Sequence, residues 1–292
     1  MNEEDESLKE SEMKEKLEKI FNFLKENREY NKEIQSDFFS SVFKKNNSTN
    51  AAGKKEKVIS LLYWVAETQS QGKIDKLSES YQIFHDPTIK YDTCSNFCDT
   101  LARALPVDDS NTKKYLKMTE KKKDKHIEVL KDNTKPFSHL FNTIKNYPGF
   151  GDKTAALFVK MIYQIHFIDG YTKYKIWKNV SPLASKDMLH LPVDAVIIEI
   201  FKKISPPTDG SWNFKKINTK LNELYQGSEI EIWDDLWFWG YITQKVVKNQ
   251  DHRDFELNIA KYWVMKGSNK DQSTIEDIFK KANEFLKLIE EK

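Results

Sequence analysis

The sequence predicts an all-α fold, and two observations carry the prediction. Glycine and proline number only 9 and 8 in 292 residues, too few turn formers for the many tight connections of a sandwich or barrel. Apolar residues instead recur at three- and four-residue spacing through several long stretches, the period of a helix that buries one face. Apolar residues at 39% and charged ones at 32% fit a globular chain with a well-solvated surface. No internal repeat period is visible.

Taken in order, residues 1–7 read as a frayed end. Beyond Leu8, the residues Met13, Leu17, Ile20, Phe21 and Leu24 form one apolar stripe on a charged helix, which covers a core or engages a partner. The stretch 44–57, with NNSTNAAGKK, reads as an exposed loop, and VISLLYWVAE from Val58 as a buried helix. Residues 69–125 are mixed and contain the charge run KMTEKKKDKH, read as a solvated face ahead of a phosphate-facing patch. A short helix ending near Lys145 meets a glycine-bearing turn, and a strongly apolar helix follows it. Residues 169–190, broken at Ser181-Pro182, resemble an insertion that is partly extended. Asp194 then caps the helix AVIIEIFKKI, and Pro206-Pro207 ends it. Helices are expected again at 215–225, 229–248, 251–265 and 272–290.

Charge and cysteine content narrow the chemistry. Net charge is only +2, so a nucleic-acid partner would need a local basic patch. Of 47 basic residues only Arg28, Arg103 and Arg253 are arginine. Lysine finds phosphates but reads guanine edges poorly, which argues against sequence-specific readout in the major groove. Two cysteines, Cys94 and Cys98, cannot hold an iron–sulfur cluster. The N-terminal MNEEDESLKE lacks the basic start and apolar stretch of a secretory signal, and no run of eighteen apolar residues occurs. The expectation is an intracellular protein, cytoplasmic in a prokaryote or nuclear in a eukaryote, with no membrane partner.

The most informative segment is Pro148-Gly149-Phe150-Gly151-Asp152-Lys153-Thr154. Two glycines one residue apart at a helix start can present consecutive backbone amides to a phosphate, although the same pattern also serves as a plain tight connection. Lys153 falls in the first turn of the apolar helix, where the dipole and desolvation both disfavour its charge. A nucleophilic amine needs a pKa well below the ordinary ~10.4, and such a position is one way to lower it. Asp194 is an ordinary cap on one reading. On the other it is a carboxylate that stabilises positive charge on a sugar.

YPGFGDKTAA followed by LPVDAVIIEIF resembles the signature of the helix-hairpin-helix DNA glycosylase superfamily, across about residues 137–201. That resemblance implies two helical domains flanking a DNA-binding cleft. It puts one domain at 1–75 plus 205–292 and the other at 76–204, with the motif at 137–168 and the aspartate helix at 194–204. Lys153 falls on the family's Schiff-base lysine and Asp194 on its essential aspartate. Gly149, Gly151 and Thr154 fall on positions whose amides meet a DNA phosphate. The carbonyls of Lys145, Tyr147 and Phe150 fall where the hairpin often holds a monovalent cation. No other cofactor is implied, and the four-cysteine cluster of endonuclease III is missing. The 41-residue interval from Lys153 to Asp194 is longer than in the commonest members and looks more like the archaeal 8-oxoguanine glycosylases.

The function so implied is a bifunctional glycosylase/AP lyase. It would act as a monomer on double-stranded DNA containing a damaged base, 8-oxoguanine foremost, and cut the strand by β-elimination. A glycosylase of the same fold for an oxidised pyrimidine or modified base stands as an alternative, as does a non-catalytic DNA-binding module. A flipped base would stack on aromatic surface. Trp233, Trp237 and Tyr241 recur at i, i+4 and i+8, either as that platform or as part of a Trp-rich core helix.

Overall fold

A computed structural model describes residues 3–43, 57, 61, 136–145, 151–176, 180–206, 210–247, 252–258, 260–262 and 271–290. These are mostly helical, with 70% in helices and 4% in strands, as the all-α expectation requires. The chain divides into two units, one of Met1–Gln35 with Val193–Lys292 and one of Ser36–Pro192. The borders expected at 75/76 and 204/205 therefore move to 35/36 and 192/193. The physical reason is the aspartate helix, which packs on helices of the C-terminal third rather than on the middle of the chain.

In the first unit, α1 (Glu3–Glu26) buries Met13, Leu17, Ile20, Phe21 and Leu24, so the predicted stripe faces a core. The helix starts at Glu3, inside the stretch read as frayed. Asn27 stops it by turning its side-chain amide back onto the Phe23 carbonyl at 2.8 Å, and α2 (Arg28–Phe43) follows at once. Arg28 then donates to Glu231 at 2.6 Å and to Asp235 at 3.0 Å. Asn31 donates to the other oxygen of Asp235, and Gln35 to Asp234. Burial, opposed by the Arg28 charge and the Asn31 hydrogen bond, pushes the Asp235 carboxyl up to about 7.

The aspartate helix α5 (Ala195–Ile204) is followed by α6 (Phe214–Leu224), α7 (Glu229–Ile232) and α8 (Asp235–Ile242). The chain ends in α9 (Gln272–Glu290), which buries Ile275, Ile278, Ala282, Phe285 and Ile289 and packs on α1. Gly240 of α8 is a close-approach glycine. A methyl group there would lie 2.6 Å from Cδ1 of Ile200 and 2.7 Å from Cγ1 of Val196, so α8 meets α5 nearly backbone to side chain.

Two expectations fail in this unit. The predicted helix 229–248 is instead α7, a turn at 233–234, α8 and a strand, and the predicted helix 251–265 begins as a strand. The break follows from Glu231, Asp234 and Asp235, which all turn inward toward α2. Beyond it, the β-branched run around Ile242, Thr243, Val246 and Val247 favours extended backbone. Strand β1 (Gln244–Val246) pairs antiparallel with β2 (Arg253–Phe255), and Lys245 sits opposite Asp254.

In the second unit, α3 (Phe137–Ile144) packs on α4 (Asp152–Phe167), whose residues 154–159 and 161–166 are all buried. Phe39 of α2 packs against Tyr171 at 5.1 Å between ring centroids, and Phe43 against Tyr174 at 5.4 Å. The segment read as an insertion belongs to this core: Tyr171, Ile176 and Leu189 are buried. Its Asp187 accepts hydrogen bonds from the amides of Phe137 at 2.5 Å and Ser138 at 2.8 Å and thereby caps α3 from fifty residues away. Lys57 and Leu61 are helical and buried. That places Lys57, the last residue of the predicted exposed loop, in the core instead. The remainder of the loop at 44–56, the rest of the helix expected from Val58 and the mixed region 69–125 lie outside the described residues. Among the described residues, no helix is long and apolar enough to cross a membrane.

Candidate functional site

Lys153 and Asp194 fall in different units, and each is built by its own surroundings. In the second unit Gly151 is the N-cap of α4, with φ −102° and ψ −172°. That backbone is open to any residue, and a Cβ added there would meet nothing within 4 Å. Neither conformation nor packing among the described residues therefore requires glycine. What glycine provides is bare backbone at an exposed helix start. Asp152 follows in the first turn, where a carboxylate suits the dipole. It ion-pairs with Lys145 at the end of α3, so the pair links the end of α3 to the start of α4.

Lys153 is half-buried in that first turn, and Thr154 behind it is buried. Among the described residues, the Lys153 ammonium has no ion-pair or hydrogen-bond partner. Gly149, Tyr147 and Phe150, with the cation ligands assigned to two of them, lie outside the described residues. Of the three expected cation ligands only Lys145 is described, and its amide donates to the Phe141 carbonyl at 2.9 Å.

In the first unit Asp194 caps α5 as expected. Its Oδ1 accepts from the amides of Val196 at 2.9 Å and Ile197 at 3.1 Å. Its Oδ2 accepts from the indole Nε1 of Trp237 at 3.0 Å, a contact across 43 residues. Trp237 is half-buried and stacks on Tyr241, with 4.9 Å between centroids and 15° between planes. Lys261 places its Nζ over the Tyr241 ring at 4.6 Å and donates to the Tyr241 carbonyl at 2.8 Å and to that of Gln244. Burial, reinforced by the Arg253 charge, pulls the Lys261 ammonium below the ordinary lysine range.

The three aromatic candidates do not form one face. The turn at 233–234 separates Trp233 from α8, and Trp233 is fully buried between Phe21 and Tyr225. It belongs to the core, and its i, i+4 spacing to Trp237 misled because the helix is not continuous. Trp237 and Tyr241 do share a face of α8. Sequence reasoning missed Lys261 and the bond from Trp237 to Asp194, since neither leaves a mark in local spacing. Among the described residues, no cluster of three or more His, Cys, Asp or Glu side chains is placed to hold a metal ion. Comparison with protein families, curated proteins and solved structures finds no match for this chain.

Proposed function

We propose that the chain is a DNA glycosylase with AP lyase activity, in which Lys153 is the nucleophile and Asp194 the charge-stabilising carboxylate. The observation that supports it most is the state of Asp194. A capping aspartate needs one oxygen, whereas here both are engaged, by three N–H donors in all, and the carboxylate stays only half-buried. A carboxylate fixed in orientation and still reachable suits the stabilisation of positive charge that develops on a sugar. The exposed, sterically empty Gly151 start adds to the case, because bare amides at a helix N-terminus suit a DNA phosphate.

In this reaction the Lys153 amine attacks C1′ of the damaged nucleotide. The N-glycosidic bond breaks, and the base leaves with the bonding electrons and takes a proton. Loss of a proton from nitrogen and opening of the sugar give an imine, which makes the C2′ proton acidic. Removal of that proton expels the 3′ phosphate and cuts the strand. Expulsion of a base from the stack costs least for damaged or mispaired bases, which favours a lesion substrate, 8-oxoguanine first among those to test.

Borohydride trapping on a panel of lesion-bearing duplexes tests the proposal. The wild-type protein should cross-link to at least one lesion, and Lys153→Gln should abolish both cross-link and incision. A cross-link undiminished in the glutamine variant removes Lys153 from the role. Salt-dependent binding to duplex without incision of any member leaves a DNA-binding module in place of an enzyme.

A further inference from the structure

From the geometry around Asp194 we infer that Trp237 is a positioning residue, whose indole N–H fixes the orientation of the Asp194 carboxylate; the inference rests on the glycosylase reading. With Oδ1 held by the amides of Val196 and Ile197, the helix cap is already complete. The last torsion of an aspartate has a broad well, so the two bonds to Oδ1 limit the tilt of the carboxylate plane without fixing it. The Trp237 N–H at 3.0 Å removes that freedom.

The indole is itself held. One side of it lies nearly parallel to Tyr241, and Lys261 ties the Tyr241 carbonyl to that of Gln244. Gln244 in turn donates from Nε2 to the Val196 carbonyl at 2.8 Å, in the first turn of α5. Gly240 allows α8 to press against Val196 and Ile200 of that helix. The donor and the carboxylate it serves thus belong to one packed pair of helices. A carboxylate offers about four acceptor positions. Three are occupied, which leaves one position on Oδ2 for a positive charge. A tryptophan that merely filled space would not need its nitrogen aimed at a cap that is already satisfied.

Trp237→Phe keeps a ring to stack on Tyr241 and removes only the donor. Single-turnover excision should slow by roughly ten- to a hundredfold, the scale of one oriented hydrogen bond to a charged group, while duplex affinity stays within about twofold. An unchanged rate overturns the inference. So does a parallel loss of affinity and rate, which would make the indole a contact surface for DNA. The indole N–H signals in a proton–nitrogen NMR spectrum give a readout independent of activity and of the folding of the Phe variant. Asp194→Asn should shift one of the seven indole signals far more than the others, and an unmoved set overturns the hydrogen bond. Absence of incision by the wild-type protein sinks the glycosylase reading and with it any role of Trp237 in rate. The indole signals still decide whether Trp237 holds the carboxylate.

Discussion

At the start of α5 Asp194 accepts from two first-turn amides and from an indole, so both carboxylate oxygens are held before any ligand arrives. At the start of α4 Gly151 offers no side chain, nothing lies near its missing Cβ, and half-buried Lys153 follows one residue after the Lys145–Asp152 pair. The first start is completed from within its unit by a residue 43 positions away. The second presents bare backbone at an exposed residue, with a half-buried lysine two positions on. Capping normally contributes about 1 kcal/mol. A helix that forgoes a side-chain cap at an exposed start must draw its stability from packing, and α4 does so with a nearly all-buried face. The difference separates a group that needs orientation from a surface that needs access.

The contrast can be broken most strongly at the neighbouring helix α3, which is capped from a distance. Asp187→Ala removes acceptors from the amides of Phe137, Ser138 and Met188. It should cost about 2–4 kcal/mol, because it leaves the buried Phe137 N–H unpaired and removes the cap of α3. Hydrogen exchange followed by mass spectrometry should show loss of protection in α3 and α4 and little change in α1 or α9. Equal loss in both units would mean they unfold together, with no separate second unit to compare.

The next effect, on the order of 1–2 kcal/mol, is in pH. Burial raises Asp235 in the first unit to about 7, so the folded state holds its proton more tightly than the unfolded chain. That contribution is complete below about pH 4 and fades as pH rises through 7. Burial, with the Lys175 charge, lowers His166 in the second unit to about 4. Its contribution is present above about pH 6.5 and is lost as pH falls through 4. Between those limits the two units should drift in opposite directions, as read by exchange protection corrected for intrinsic rate. Asp235→Asn should flatten the first trend and His166→Gln the second.

Gly151→Ala should have the smallest effect on stability, about 0.5–1 kcal/mol in thermal unfolding, since its φ is ordinary, no described residue crowds it and only the poorer N-cap preference of alanine counts. If the bare start meets DNA, the same change weakens duplex binding several-fold in a gel-shift titration. A large stability loss would show that glycine serves the fold instead.

Several features were legible in the order of residues alone: the helical class, the buried stripe from Met13 to Leu24, and the cap at Asp194 with the helix end before Pro206-Pro207. Each depends on neighbours within a turn or two, so spacing and residue type decide it. Other features required the chain to fold back on itself. Trp233 entered the core because the acids beside it paired with α2. Asp187 found the start of α3, and Trp237 found Asp194. These are pairings across about 40 to 200 residues, and local periodicity carries no information about which distant group will arrive. The sequence could therefore nominate Lys153 and Asp194. How firmly Asp194 is held, and by which residue, only the tertiary structure decided.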